Sequence, residues 1–142
     1  SSSMTSLVLI DTSAFARRRD PGVAQKVADL VLQRTAATCV TIDLEAGYSG
    51  RSADDVRLIS VQRRVYYRNL PITEQIADRA RQVQLTMAQR GQHRAAGIVD
   101  LLTAAIAEHH GASILHYDAD FEHIAAVTGQ AQHWVAERGS LD

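Results

Sequence analysis

Three short apolar runs, at 7–10, 38–42 and 113–117, alternate along the chain with segments whose apolar residues recur every three or four positions. Such runs are too short for helices, and their Val, Ile and Thr content suits strands buried on both faces. A fourth strand is expected at 133–135. Between them, Asp20-Pro21 supplies an N-cap and a first-turn proline for a helix carrying Val23, Val27, Leu30 and Val31 and ending near Arg34. Leu44, Glu45, Ala46 and Tyr48 predict a helix that stops at Gly50. Leu58, Val61 and Val65 space another, and Thr73 opens one with Ile76, Ala80, Val83 and Met87 that halts at Gly91. Ile98, Leu101, Leu102, Ala105 and Ile106 form the strongest helical stripe, with Gly111 as its stop, and 118–127 reads as a short helix. Strands alternating with helices require an α/β fold: a three-layer α/β/α domain with a parallel central sheet flanked by helices. The apolar residues of 58–65 and 76–87 are expected mainly in the core, with a groove or a homodimer interface as their other use.

The 142 residues fit one domain, taken as 4–142, while Ser1, Ser2 and Ser3 before Met4 read as a leftover of cloning. Residues of hydrophobic type make up 46% of the chain, yet no apolar run approaches the roughly 20 residues a bilayer requires, so no membrane role is expected. Cys39 is alone and cannot close an intramolecular disulfide; it is expected as a buried thiol in a cytoplasmic protein. The net charge of -1 gives no broad basic surface. All basic side chains but Lys26 are arginines, grouped at Arg17, Arg18 and Arg19 and at Arg63, Arg64 and Arg68. Arginine suits bidentate phosphate contacts, and a solvated face is the equal alternative.

Ligands of open α/β sheets collect beyond the carboxyl ends of the strands. Asp11 directly follows the first expected strand, Glu45 lies just past the second, and Asp118 and Asp120 follow the third. Asp100 stands near the start of the most apolar helix, turned from its Leu101/Leu102 stripe. Singly, each acid is equally explained as a helix cap or as a favourable charge at a helix N-terminus, and Asp43 and Asp120 suit those roles well. Together they are harder to explain so, because carboxylates ~5 Å apart repel by roughly 3 kcal/mol per pair at an effective dielectric of ~20. A cation or raised pKa values would relieve that. Oxygen ligands without thiolates or paired histidines favour Mg²⁺ or Mn²⁺ over zinc, and His109, His110 and His116 lack zinc-site spacing. A cation so held can activate water against a phosphodiester without a histidine base or nucleophilic serine.

The segments Leu-Val-Leu-Ile-Asp-Thr-Ser-Ala-Phe (7–15), Thr-Ile-Asp-Leu-Glu-Ala (41–46), Ile-Val-Asp-Leu-Leu-Thr-Ala-Ala-Ile-Ala (98–107) and Leu-His-Tyr-Asp-Ala-Asp-Phe-Glu-His-Ile-Ala (115–125) resemble the PIN-domain ribonucleases. More narrowly they are similar to the VapC toxins of type II toxin-antitoxin systems, in the family's order over nearly the whole chain. The resemblance implies a ribonuclease in which Asp11, Glu45, Asp100 and Asp118 hold Mg²⁺ or Mn²⁺, with Asp120 assisting through water. Thr12, Ser13 and Thr103 are candidates to support those carboxylates, with helix-start or packing roles as the alternative. His116 departs from the pattern, since many relatives carry threonine or serine there, and the departure puts a supporting hydrogen bond in question. The resemblance further implies an RNA substrate, for which the clustered Arg17, Arg18, Arg19, Arg63 and Arg64 are the candidate contacts. It also implies a VapB-like antitoxin whose tail lies in an apolar groove, a homodimer and a toxin-antitoxin hetero-oligomer.

Other readings fit less well. A receiver-like signalling domain needs a lysine near a late strand, and Lys26 sits on the first long helix. A P-loop or dinucleotide-binding enzyme needs a Gly-rich turn after the first strand, where Asp11-Thr12-Ser13 stands instead. A PIN nuclease of RNA processing outside any toxin system, or a non-catalytic PIN module binding RNA or protein, remains the alternative.

Overall fold

The computed structural model describes residues 6–141; the expected remnant at 1–3 lies outside the described residues. Strand β1 (Val8–Ile10) runs into a four-residue helix α1 (Thr12–Phe15), and α2 (Pro21–Leu32) follows with Asp20 as its N-cap. Next come β2 (Ala36–Thr38), α3 (Val40–Tyr48), α4 (Ala53–Tyr66) and a two-residue strand β3 (Arg68–Asn69). Two long helices, α5 (Glu74–Gln89) and α6 (Ile98–His109), precede β4 (Ser113–His116), α7 (Asp120–Thr128) and β5 (Gln132–Trp134). All strand pairs are parallel, in the order β3-β2-β1-β4-β5. Parallel neighbours need crossover helices, which is why both faces are covered.

Two apolar clusters fill the layers. On one face Leu9 and Ile114 meet Ile76, Met87, Ile106, Phe121 and Ile124 from α5, α6 and α7. On the other, Ile10 and Leu115 meet Ala14, Val23 and Val27 from α1 and α2, closed by Val135. The alternation of Leu9 against Ile10, and of Ile114 against Leu115, is the period of two that a strand imposes. The stops match the expected chemistry: Gly91 and Gly111 have φ of 70° and 67°, a left-handed turn that glycine adopts without penalty. Among the described residues no helix is long and apolar enough to cross a membrane.

Three expectations fail. The second strand lies at 36–38, earlier than 38–42, because Val40, Thr41 and Ile42 open α3 behind an extended Cys39; Asp43 N–H bonds the Cys39 carbonyl at 2.9 Å. The β-branched residues enter a helix because Ile42, 0% exposed, finds its packing there, and tertiary burial outweighs a weak intrinsic preference. Glu45 sits on the helix expected for it, whose start lies earlier, at Val40. In α5, Ile76, Val83 and Met87 are core as expected, but in α4 Leu58, Val61 and Val65 are exposed, and so is Ile98 of the α6 stripe. Finally, β3 has no apolar signal at all, since both its residues are exposed at the sheet edge.

Candidate metal centre

Asp11 leaves the carboxyl end of β1 and is only 3% exposed. Its Oδ2 caps α1, accepting from Ser13 N at 3.0 Å and from Ser13 Oγ at 2.6 Å. Ser13 Oγ in turn accepts the Tyr117 main-chain N–H at 2.9 Å, which ties the ends of β1 and β4 together. Asp11 Oδ1 is buried and has no hydrogen-bond partner. A carboxylate oxygen taken from water and left unpaired is costly, and a cation is the simplest remedy.

The other acids converge on the same place. Asp118 follows β4; its Oδ1 accepts Asp120 N–H at 3.0 Å, and its own N–H donates to His116 Nδ1 at 3.1 Å. Asp100 stands in the first turn of α6, and oxygens of Asp100, Asp118 and Asp120 lie within 4.8 Å of one another. Asp120 Oδ2 also accepts Gly97 N–H at 3.0 Å. Glu45 reaches the rim from α3, where Thr12 Oγ1 donates to its Oε1 at 2.9 Å. Asp11, Glu45, Asp100 and Asp118 line one open cavity of about 520 Å³.

Crowding without a counter-ion shows in the proton affinities. Burial first, then its hydrogen bond with Asp120 and the charges of Asp11, Asp118 and Asp120, push the Asp100 carboxyl up to about 8. Burial raises Asp11 as well, opposed by the Ser13 hydrogen bonds and reinforced by Asp118. Glu45 is raised by burial against its Thr12 bond, with Asp11 and Asp118 adding to the rise. Burial lowers His116, against the Gln132 hydrogen bond and the pull of Asp11 and Asp118. An all-oxygen, repelling, partly dehydrated donor set of this kind fits a hard divalent cation.

The remaining sequence candidates divide. Thr12 and Ser13 both donate to acids of the set, whereas Thr103 is fully buried and shares a 2.6 Å hydrogen bond with Thr41 instead of any carboxylate. Arg63 is turned inward, 5% exposed: Nε donates to Asp43 Oδ1 at 3.1 Å, Nη2 to Thr38 Oγ1 at 2.8 Å, and the guanidinium lies 4.2 Å from the Tyr67 ring centroid. It is committed to the fold and does not present itself to a phosphate. Arg17 donates to the Ser13 carbonyl at 2.9 Å and covers the Tyr117 ring, while Arg18 lies over Phe15. Arg18 and Arg19 border a groove of about 1020 Å³ lined also by Phe15, Val31, Ile59 and Tyr66, which meets the acid cavity at Thr12 and Glu45. Arg64 is exposed and does not line that groove; it borders a smaller recess with Ser60 and Asn69. Gly97 and Gln132 went unnoticed in the sequence: a main-chain N–H carries no sequence signal, and a lone glutamine in a strand carries none either.

A model of the PIN domain matches residues 8–127. The chain belongs to the PIN-domain family. Among curated relatives, Ribonuclease VapC21 of Mycobacterium tuberculosis is 41% identical over 139 residues, covering 96% of this chain and 99% of that one. Ribonuclease VapC51 of the same species is 39% identical over 137 residues, 94% of this chain and 96% of that one. Identity at this level over nearly the full length puts the chain among the VapC-type PIN domains. Of solved structures, the VapBC2 complex from Rickettsia felis bound to a promoter DNA fragment superposes with a TM-score of 0.72 at 12% identity, covering 90% of this chain and 98% of that one, and bears out the PIN-like three-layer fold.

Proposed function

We propose that the protein is a VapC-type toxin, an endoribonuclease that hydrolyses RNA phosphodiester bonds with a divalent cation held by Asp11, Asp100 and Asp118, with Glu45 at the rim and Asp120 assisting. The buried, unpaired Asp11 Oδ1, on a residue lining the same cavity as Glu45, Asp100 and Asp118, is the observation that carries this reading. The oxygen-only donor set makes Mg²⁺ or Mn²⁺ the ion. When bound, the ion supplies acidification of water and neutralisation of charge on the phosphodiester. The side chains supply the rest. Ser13 and Thr12 hold Asp11 and Glu45 in place through their hydroxyls, and Asp120 hydrogen-bonds the Asp100 side chain. The net negative wall repels an RNA backbone when the cation is missing, so substrate binding and metal binding are coupled.

The relatives are named ribonucleases, and the solved neighbours are toxin-antitoxin complexes, which supports RNA as substrate and a VapB-like antitoxin as partner. The groove of Phe15, Val31, Ile59 and Tyr66 beside Glu45 suits an apolar antitoxin tail that ends in a basic residue. Exposed Leu44, Tyr48, Ile98 and Val99 around the cavity mouth suit a homodimer contact. Such a toxin acts in the cytoplasm, where its RNA is.

The test is cleavage of a total RNA pool by the purified protein. Activity is expected with Mg²⁺ or Mn²⁺ and none after EDTA treatment. Asp11→Asn and Asp100→Asn are each expected to reduce it at least ~100-fold with the circular dichroism spectrum unchanged, in line with losing a group that acts only with the ion. Cleavage that survives EDTA, or either variant at full rate, rejects the proposal.

A further inference from the structure

His116 is fully buried at the end of β4, two residues before Asp118. Its Nδ1 faces a donor whose identity is beyond dispute, the Asp118 main-chain N–H at 3.1 Å, so Nδ1 must carry a lone pair. The single ring proton is then on Nε2, which lies 2.5 Å from Gln132 Oε1 on β5. That assignment also decides the glutamine amide, because an NH₂ group there would confront a second N–H. Ring centroids of Phe121 and Trp134 stand 5.2 and 5.0 Å away and hold the imidazole plane. Asp118 is thus gripped at both ends, its N–H by His116 and its Oδ1 by Asp120 N–H, while Ser13 fixes the neighbouring Tyr117 N–H.

We propose that His116 is a positioning residue for the metal centre, setting the Asp118 carboxylate through its main-chain amide, with Gln132 on the edge strand holding the imidazole in the tautomer that can accept. The inference rests on the metal-site reading above. Without the acceptor, the half-buried Asp118 amide is left unpaired or the turn rotates to find another partner. Either way the carboxylate leaves the geometry in which it meets Asp100 and Asp120. Partners of this kind, one step removed from an ion, change metal affinity by about 10–100-fold when removed.

The test separates the acceptor from the ring. His116→Phe keeps an aromatic ring between Phe121 and Trp134 but has no acceptor; His116→Asn loses the ring but places an amide oxygen where Nδ1 stood. Mn²⁺ binding, followed by electron paramagnetic resonance with Asp118→Asn as reference, is expected to weaken about tenfold or more in His116→Phe and to stay within about threefold of the unaltered protein in His116→Asn. Thermal stability is expected to follow the ring instead, falling further in His116→Asn. Equal Mn²⁺ affinity in His116→Phe and the unaltered protein, or affinity that follows the ring, overturns the proposal. Should His116→Phe not fold, Gln132→Met decides: a several-fold loss of Mn²⁺ affinity supports it and no loss overturns it. No Mn²⁺ binding by the unaltered protein would instead overturn the metal-site reading beneath it.

Discussion

Asp11 uses its two oxygens differently. Oδ2 caps a helix of four residues, and Oδ1 is buried without a partner, so the capping explanation and the metal explanation apply to the same side chain. The electrostatic consequence falls on Asp100, whose proton is held up to about 8 while an unfolded chain releases it near 3.8. Between these values the folded state binds the proton and the unfolded state does not. The stability this contributes is complete below about 3.8 and is lost as pH rises through about 8. In EDTA, therefore, the melting temperature of the unaltered protein is expected to fall relative to Asp100→Asn as pH rises from 5 to 8. A difference independent of pH in calorimetric scans would refute it. Metal affinity is expected to climb over the same interval, because the ion competes with that proton.

Among the elements, α4 is the least well described by its pattern. Leu58, Val61 and Val65 recur at helical spacing, yet all three are exposed, and the side chain that anchors the helix is an arginine. Arg63 ties α4 to Thr38 at the end of β2 and to Asp43 on α3, and Ser52 caps its start by accepting Asp55 N–H. Arg63→Met is expected to lower the free energy of unfolding by about 2–4 kcal/mol, since it leaves Thr38 and Asp43 without their buried partner, whereas Arg64→Met should change it by no more than ~0.5 kcal/mol. Urea unfolding of the two variants measures this. If both behave alike, Arg63 is not the anchor. The helices whose pattern was legible, α2, α5 and α6, bury most of their stripes in the two apolar clusters, α5 by packing on α6 and α7. Only contacts distinguish those cases from α4, because periodicity reports an apolar face and not what covers it.

At the scale of the molecule, the strand order brings β1 beside β4, and parallel pairing places their carboxyl ends on one edge. Asp11 and Asp118 meet for that reason, and α6 adds Asp100 from the layer above. A cation that binds only the folded state stabilises it by RT ln(1 + [L]/Kd), about 2.7 kcal/mol at one hundred times Kd. Millimolar Mn²⁺ is expected to raise the melting temperature by several degrees, and Asp118→Asn to abolish the rise. An equal rise in the variant would place the ion elsewhere.

The kinds of the longer elements, their order and the left-handed glycine stops could be read from the sequence, because each depends on signals within a few residues: period, capping and turn preference; β3, which carries no such signal, could not. The tertiary structure alone decided that Asp120 stands closer to Asp100 and Asp118 than the role given to it suggested, that Arg63 points inward and Thr103 away from the carboxylates, and that His116, held by Gln132, accepts the Asp118 main-chain N–H. Those outcomes are set by crossovers and long-range burial, in which residues distant along the chain compete for the same space, and no local pattern encodes the winner.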